Sequence, residues 1–246
     1  MAKGNGLGMF CHVGGNVLSN DIQALSKISG SIATIDVTGI DKSAHERIGG
    51  QRTGEISLTA FWNPTGAHTV LSALPTADTL ISVGMPPLIG NPVANMVAKQ
   101  IGYNPTRSQS GELLVAFDDA STAYGLEWGL QATAGMRTDV AATNGASLDG
   151  AAATNFGLQA YLQVSAFTGA DVTVKLQDSA DNATFADIGG AAFTAVTTGP
   201  AWQRISISNA ATVRRYVRVS TTTAGGFTSV TFAVSLVRNP IAGQVF

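Results

Sequence analysis

The chain has 246 residues, enough for one large or two modest domains, and 45% of them are hydrophobic while only 12% are charged. A surface with so few charges costs little to desolvate, so the composition favours a subunit that is buried against neighbouring subunits over a freely diffusing monomer. The formal net charge of -2 excludes a basic grip on nucleic acid, the single cysteine excludes an intrachain disulfide, and no apolar run approaches the roughly 18 residues that span a bilayer.

The N-terminal stretch, residues 1–20, is rich in glycine and asparagine and is predicted to be an arm that orders mainly against something else. It has no apolar core of a signal peptide, so the protein is expected to be made and kept in the cytoplasm until assembly. A short helix is predicted from Val17 to Ile28, where apolar residues recur at helical spacing, and a strand is predicted from Ser31 to Thr38.

The stretch from Asp36 to Pro64 organises the first half of the chain. From Glu55 to Trp62 apolar and polar residues alternate, which is typical of a strand with one buried face. Roughly 15 residues with acids, bases and glycines separate this strand from the preceding one, whereas an ordinary hairpin loop has two to five. A compact domain rarely keeps such a loop without a use, so the connection is predicted to be functional.

The rest of the first half is predicted to be mainly β. The exception is a short helix from Ala67 to Leu74, which ends before Pro75. Strands are predicted over residues 79–83, 93–101, 112–117 and 124–131. The last two are expected to pair with each other through a turn, and the side of the last strand that holds Glu127 is expected to be open.

The pattern changes after residue 132. Residues 133–153 are dominated by Ala, Thr and Gly and are predicted to be a linker. Short alternating strands with turn residues between them follow, which is typical of an antiparallel sandwich or jelly roll. Residues 1–135 hold 7 Lys+Arg and 10 Asp+Glu, a balance of -3, and the remainder hold 7 and 6, a balance of +1. The predicted segments are an arm at 1–20, a first domain at 21–132, the linker, a second domain at 154–240 and a tail at 241–246.

The sequence shows no recognisable catalytic constellation, so no enzymatic activity, cofactor or metal is predicted. The histidines, His12, His45 and His68, lack the paired spacing of a metal site and are predicted to be surface or loop residues. Cys11 lies in the glycine-rich arm, which would not hold a nucleophile in a rigid geometry.

Two acidic pairs leave two interpretations open. Asp118 with Asp119, and Asp178 with Asp181, offer carboxylate oxygens that suit a cation. The favoured interpretation is that these side chains form turns by accepting hydrogen bonds from their own backbone.

The stretch from Asp36 to Pro64 resembles the tail tube, or major tail, proteins of long-tailed bacteriophages. In that family an Asp-Val-Thr sequence ends a strand, and a polar loop with a Glu-containing turn, a glycine pair and a Gly-Glu-Ile-Ser-Leu type strand follow. The corresponding residues here are Asp36-Val37-Thr38, Glu46, Gly49-Gly50 and Gly54-Glu55-Ile56-Ser57-Leu58. The resemblance runs through most of the first half of the chain.

The resemblance implies a mainly β protein, with a tail-tube-type β-sandwich or barrel and one short flanking helix. The Ser-Ala-Asp-Asn turn at 179–182 and the strand from Arg214 to Arg218 resemble a β-sandwich that is appended to various phage structural proteins. The second domain is therefore expected to be another antiparallel β-sandwich, of the jelly-roll or immunoglobulin-like type.

The function implied by the resemblance is that of a structural subunit of a phage tail. Hexameric rings of this chain would stack into a hollow tube, and DNA would pass through the lumen without specific binding. The expected partners are further copies of the chain, a tape measure protein, and tail terminator and baseplate proteins. The expected location is the virion tail, after a stay in the host cytoplasm; a host-surface glycan is the expected ligand of the second domain, and no membrane insertion is expected.

Two sets of residues are implied to serve this assembly. The polar loop would contact the next ring, with Glu46 and Arg47 as the favoured contacts because charges fix register. The candidate residues of the loop are Thr38, Asp41, Lys42, His45, Glu46, Arg47 and Arg52. The wall of the lumen is expected to be polar and net negative, because such a wall repels phosphates. Its candidates are Glu55, Ser57, Thr59 and Glu127.

A second interpretation is a carbohydrate-binding β-sandwich module, or another phage decoration or adhesion protein. Exposed aromatic residues such as Tyr161 or Trp202 would then stack on sugars. The two interpretations differ in assembly, since the first predicts rings or tubes and the second predicts isolated monomers that bind glycans.

Overall fold

The computed structural model describes residues 6–73 and 77–241. In these residues the fold is mainly β, with antiparallel strands and one short α-helix, as the sequence pattern predicts. The chain divides into two compact units. The described residues of unit one are 6–20, 80–95 and 128–241, and those of unit two are 21–73, 77–79 and 96–127.

The strands are numbered in chain order. Those of the first half are β1 (Phe10–Val13), β2 (Asn16–Val17), β3 (Ile22–Asp36), β4 (Arg47–Phe61), β5 (Thr79–Gly84), β6 (Pro92–Arg107), β7 (Leu113–Ser121) and β8 (Glu127–Gln131). Those of the second half are β9 (Arg137–Asp139), β10 (Asn144–Asp149), β11 (Leu158–Gly169), β12 (Thr173–Ser179), β13 (Ala186–Ala192), β14 (Ala201–Ser206), β15 (Tyr216–Thr222) and β16 (Phe227–Arg238). The helix α1 spans Ala67–Leu71.

Unit one is a sandwich of antiparallel strands. In one sheet β11 lies between β14 and β16, and β16 also pairs with β8 and β9. The other sheet has the order β10-β15-β12-β13. Alternate residues point inward from both sheets into one hydrophobic core, which includes Leu162, Leu176, Val219 and Phe232, all fully buried.

The first strand belongs to this unit, so the prediction of an N-terminal arm is wrong for residues 10–13. All four residues of β1 are buried, and β1 pairs with β2 and with β5, where Cys11 lies opposite Val83. Two of the glycines that suggested an arm, Gly14 and Gly15, instead make the turn between β1 and β2, and both have positive φ. Residues 1–5 lie outside the described part of the chain.

The predicted linker at 133–153 also contains strands. β9 pairs with β16, and β10 pairs with β15. Arg137 donates to Asp139 at 2.7 Å and lies over the ring of Phe232, 4.8 Å from its centroid. The small residues of this stretch give no local strand pattern, and the partner strands lie between 67 and 95 residues away in sequence.

Unit two is built on antiparallel strands in the order β3-β4-β7-β6. Ile56 and Leu58 of β4, Phe117 of β7 and Leu71 of α1 are fully buried. The predicted short helix is confirmed as α1, which ends at Leu71; Ser72 and Ala73 form a turn, and Leu74 lies outside the described part of the chain. No helix in the described residues is long and apolar enough to cross a membrane.

Two sequence predictions fail in this unit. The helix predicted from Val17 to Ile28 is wrong, because residues from Ile22 onward form the long strand β3, whose pairing with β4 outweighs the local helical spacing. The predicted pairing of residues 112–117 with 124–131 is also wrong. β7 pairs instead with β4 and β6, and β8 pairs with β16.

Candidate assembly surface

The outer part of the β3–β4 hairpin, residues 31–53, is called the arm from this point on and is a different segment from the N-terminal residues 1–20. Every residue of the arm is exposed except Thr38 and Gly50, which are half-buried. The loop between the strands is residues 37–46, so β4 begins earlier than the predicted strand did. At the outer end Ile35 lies opposite Ile48 in the register.

The loop has a defined shape because hydrogen bonds brace it. The amide of Thr38 donates to Asp36 Oδ1 at 2.9 Å, and the amide of Glu46 donates to the Thr38 hydroxyl at 2.9 Å. Nδ1 of His45 lies 2.8 Å from Asp36 Oδ2. The hydrogen bonds from Thr38, and to a smaller extent the one from His45, lower the pKa of the Asp36 carboxyl.

The charged residues of the loop form only loose pairs with each other. Nζ of Lys42 lies 3.6 Å from Glu46 Oε1 and 3.9 Å from Asp41 Oδ2. Exposed ion pairs of this kind contribute at most about 1 kcal/mol, so another subunit is able to compete for them. Six of the seven predicted contact residues lie together at the outer end of the arm. The seventh, Arg52, lies at the base of the arm, packed against Gly125.

The arm also exposes five β-branched apolar side chains, which the sequence analysis did not single out. They are Ile32, Ile35, Val37, Ile40 and Ile48, each at least 46% exposed. Single exposed apolar residues are normal on a monomer, but five on one hairpin are typical of a surface that another molecule covers. The sequence does show these five apolar residues recurring between residues 32 and 48, but the stretch was interpreted from its charged residues alone.

A buried glycine fixes the base of the arm. A Cβ atom on Gly54 would lie 2.7 Å from the Leu126 backbone nitrogen and 2.9 Å from Met96 Sδ. The amide of Gly54 donates to the hydroxyl of Ser121 at 2.8 Å. The glycine of the tail-tube-like motif thus permits the close approach of residue 126, which any side chain here would obstruct.

Three of the four predicted lumen residues, Glu55, Ser57 and Thr59, share the half-buried face of β4, opposite its buried face. The register places Ala116 and Ala120 of β7 beside this row. This side of β4 and β7 is called the open face of unit two, and small residues make up much of it.

The charges on the open face are mostly paired with each other. Nζ of Lys27 lies 2.5 Å from Glu55 Oε2, and Nζ of Lys99 lies 2.6 Å from Asp78 Oδ1. Asp118, opposite Ser57 in the register, adds one more carboxylate. Two lysines against three carboxylates leave these groups with a balance of -1, so the net-negative wall of the lumen stays a prediction.

The fourth predicted lumen residue does not belong to this face. Glu127 lies in β8 and is only 3% exposed, while Trp128 beside it is 58% exposed. The alternation in this strand was correctly recognised, but the side expected to be open is the buried one. An alternating pattern with aromatic residues on one side and glycines on the other does not by itself show which side faces the interior.

The acidic pair in β7 does not form a turn, because both residues lie within the strand. Asp119 is on the buried face, and burial, with a smaller contribution from the charge of Asp118, raises its pKa to about 7. Its Oδ2 atom has no hydrogen-bond partner in the described residues. Asp119 is therefore a buried carboxyl that holds its proton up to neutral pH.

The second acidic pair behaves as two separate groups. Oδ1 of Asp181 accepts hydrogen bonds from the amides of Ala183 and Thr184, both at 2.9 Å, so the turn interpretation is confirmed for Asp181. Asp178 is buried and accepts a hydrogen bond from Arg214 Nε at 2.7 Å. No group of three or more His, Cys, Asp or Glu side chains in residues 6–73 and 77–241 is arranged to hold a metal ion.

The histidines differ from one another. His45 is an exposed loop residue, as predicted, but His12 is buried in β1, where burial lowers its pKa to about 4. His68 is half-buried and accepts a hydrogen bond from Trp62 Nε1 at 3.2 Å, and its Nδ1 lies 2.5 Å from the hydroxyl of Tyr103.

The aromatic residues named for a carbohydrate module are poorly placed for stacking. Tyr161 is only 1% exposed, and its hydroxyl accepts a hydrogen bond from Arg204 Nε at 3.3 Å. Trp202 is half-buried in β14. The prediction for Tyr161 is wrong because it took the alternate residues of β11 for a solvated face, whereas β11 is a central strand buried on both faces.

No protein-family model matches this sequence, and no curated protein matches it. A solved chain from the virion of a native gene transfer agent particle is 17% identical with a TM-score of 0.44, and the match covers 51% of this chain and 98% of that one. The Dit protein of phage SPP1 is 13% identical with a TM-score of 0.33, over 94% of this chain and 99% of that one. A chain of the phage p2 baseplate is 7% identical with a TM-score of 0.35, over 92% and 97%. These similarities are too distant to assign a function.

Proposed function

We propose that this chain is a structural subunit of a phage tail tube and that it assembles through the arm. The observation that carries the proposal is the exposed hairpin with five β-branched apolar side chains. Full burial of such a side chain contributes about 1.5–3 kcal/mol of stabilisation. A solitary subunit leaves most of that stabilisation unrealised, whereas burial of the side chains between subunits would supply it. The resemblance of residues 36–64 to tail tube proteins supplies the type of assembly.

Ring closure would use the edge of unit two. β3 pairs with β4 alone among the described strands, so one long side of its backbone is open to another strand. Because β3, β4, β7 and β6 alternate in direction, β3 and β6 run antiparallel to each other. The β6 strand of a neighbouring copy, placed beside β3, would continue the alternation around a closed ring. Six copies per ring are proposed from the tail tube resemblance.

Contact between rings would use the outer end of the arm. The isoleucines would supply buried area, and the charges of Glu46 and Arg47 would select the correct register. The remaining proposed contacts are Thr38, Asp41, Lys42 and His45 in the loop, with Arg52 at the base.

The open face of β4 would line the lumen. Glu55, Ser57 and Thr59 would then face the DNA. Paired charges give phosphate groups no array of free cations to bind, so DNA would slide past this wall without being held. The proposed partners beyond further copies of the chain are a tape measure protein, a tail terminator and baseplate proteins, and the proposed location is the virion tail.

Negative-stain electron microscopy of the concentrated, purified chain tests this proposal. Rings or tubes are the expected result. Isolated particles at every concentration at which the chain stays folded would overturn it, and binding to a glycan array by such particles would favour the carbohydrate-binding module instead.

A further inference from the structure

A groove of about 510 Å³ opens on unit one. It is formed by β8, the C-terminal end of β16 and the segment after β10. Its walls include the apolar residues Pro92, Trp128, Leu130 and Val237. Small-ligand sites have volumes of about 300–1,000 Å³ and mostly apolar walls with a few polar groups, so the groove has the size and character of such a site.

The groove has an aromatic platform in Trp128. This residue is 58% exposed, more than Trp62 at 38%. It is held on the outer side of β8, because a Cβ atom on Gly129 would lie 2.5 Å from the Leu236 carbonyl oxygen and the backbone is packed there. An indole that stays exposed after folding adds little to the stability of the fold. A flat ligand that covers the indole removes its apolar surface from water and makes a stacking contact with the ring.

Two residues that line the groove, Arg238 and Asn239, each have a buried polar atom without a partner. Nη2 of Arg238 donates to the carbonyls of Val213 and Arg214 at 3.0 and 3.1 Å, and Nδ2 of Asn239 donates to the Phe156 carbonyl at 2.7 Å. These hydrogen bonds orient both side chains. In the described residues, Arg238 Nε and Asn239 Oδ1 have no hydrogen-bond partner, and Asn239 is only 1% exposed.

A buried polar group without a partner destabilises a fold by about 1–3 kcal/mol. A ligand that supplied hydrogen-bond partners to these two groups would offset that destabilisation. One of them is a donor and the other is an acceptor. A hydroxyl group both donates and accepts, so it satisfies either one, while a purely hydrocarbon ligand satisfies neither.

We propose that this groove binds a saccharide, with a pyranose ring stacked on Trp128 and its hydroxyls directed to Arg238 and Asn239. The ring supplies the flat C–H face that an indole covers, and its rim supplies the hydroxyls that the two polar groups need. The site lies within unit one and concerns a ligand, so it goes beyond the proposed assembly and does not depend on it.

The test is a titration of the purified full chain with four disaccharides: cellobiose, maltose, lactose and N,N′-diacetylchitobiose. Saturation-transfer NMR measures the affinity in the wild type and in every variant and identifies the sugar protons in contact, because it does not depend on the tryptophan that is replaced. At least one disaccharide is expected to bind at millimolar concentration. Trp128→Ala should weaken that binding at least about tenfold, and Trp128→Phe should weaken it less, because a smaller ring still stacks. The matched control, Trp62→Ala, should leave it unchanged.

Failure of all four disaccharides to bind would overturn the proposal, and so would unchanged affinity in Trp128→Ala. If no sugar binds and Trp128→Ala abolishes rings or tubes, the groove is a contact between copies and the saccharide proposal is wrong. If sugar binds in a Trp128-dependent way but microscopy shows only isolated particles, the saccharide proposal holds and the tail tube proposal fails.

Discussion

The isoleucines of the arm can be tested with little change to the strands that carry them. We predict that the double variant Ile35→Thr, Ile48→Thr folds normally but assembles poorly. Threonine is β-branched like isoleucine and suits a strand equally well. The two side chains face each other in the register and are already 50% and 52% exposed, so the folded subunit loses little by the change.

The magnitude follows from the exposed half of each side chain. Full burial of an isoleucine contributes about 1.5–3 kcal/mol, so covering the remaining half contributes about 1 kcal/mol. The two substitutions therefore remove about 2 kcal/mol from each contact between subunits. At 1.4 kcal/mol per tenfold, the concentration needed for assembly should rise about 30-fold.

Sedimentation across a dilution series, with microscopy of the pellets, measures that concentration. The matched control is Val140→Thr, which makes the same kind of change at a 70% exposed residue outside the arm and should not alter assembly. Circular dichroism and thermal melting establish that both variants are folded. Assembly of the double variant at the wild-type concentration would show that these two isoleucines stay exposed in the assembly and make no contact between subunits.

Three further outcomes are expected. Replacing Glu46 and Arg47 by Ala should leave a folded monomer that polymerises poorly, and unaltered tubes in the microscope would remove both residues from the contact surface. His12 has a pKa of about 4 in the fold against 6.5 ordinarily, so its unfolded form binds a proton that the folded form refuses. The stability of the wild type relative to His12→Gln should accordingly fall by about 3 kcal/mol as pH is lowered from 6.5 to 4 in urea titrations, and a constant difference would show that the ring is solvated. Asp119 has the opposite sign: its folded pKa is raised to about 7 from 3.8, so its stability contribution is present below pH 3.8 and is lost as pH rises to about 7. Wild type relative to Asp119→Asn should lose about 4 kcal/mol over that range, and no loss would mean that the carboxyl ionises freely in the fold.

Strands whose side chains alternate regularly were predictable from the sequence. The alternation from Glu55 to Trp62 corresponds to the later part of β4, and the alternation around Leu162 and Leu176 corresponds to β11 and β12. In β4 and β12 the pattern lies within the strand itself, since one face packs in a core and the next residue points away from it, whereas β11 alternates in residue type although both its faces are buried.

Elements that depend on distant partners were missed. β1, β9 and β10 are short or poor in large apolar residues, and each is held by strands far along the chain. The start of β3 was interpreted as a helix because three apolar residues happen to have helical spacing, while its partner β4 begins only at Arg47. The five apolar residues of the arm were overlooked because exposure is not a property of a residue's type.

By itself the sequence determined that this protein is mainly antiparallel β and that a polar loop follows Asp36, because alternation, turn residues and charge are local properties of a chain. Only the tertiary structure decided that Glu127 is buried while Trp128 faces outward, that β1 is a core strand, and that the arm is exposed along both its strands. The physical reason is that burial is set by which strands pair and pack, and those contacts join residues that the sequence keeps far apart.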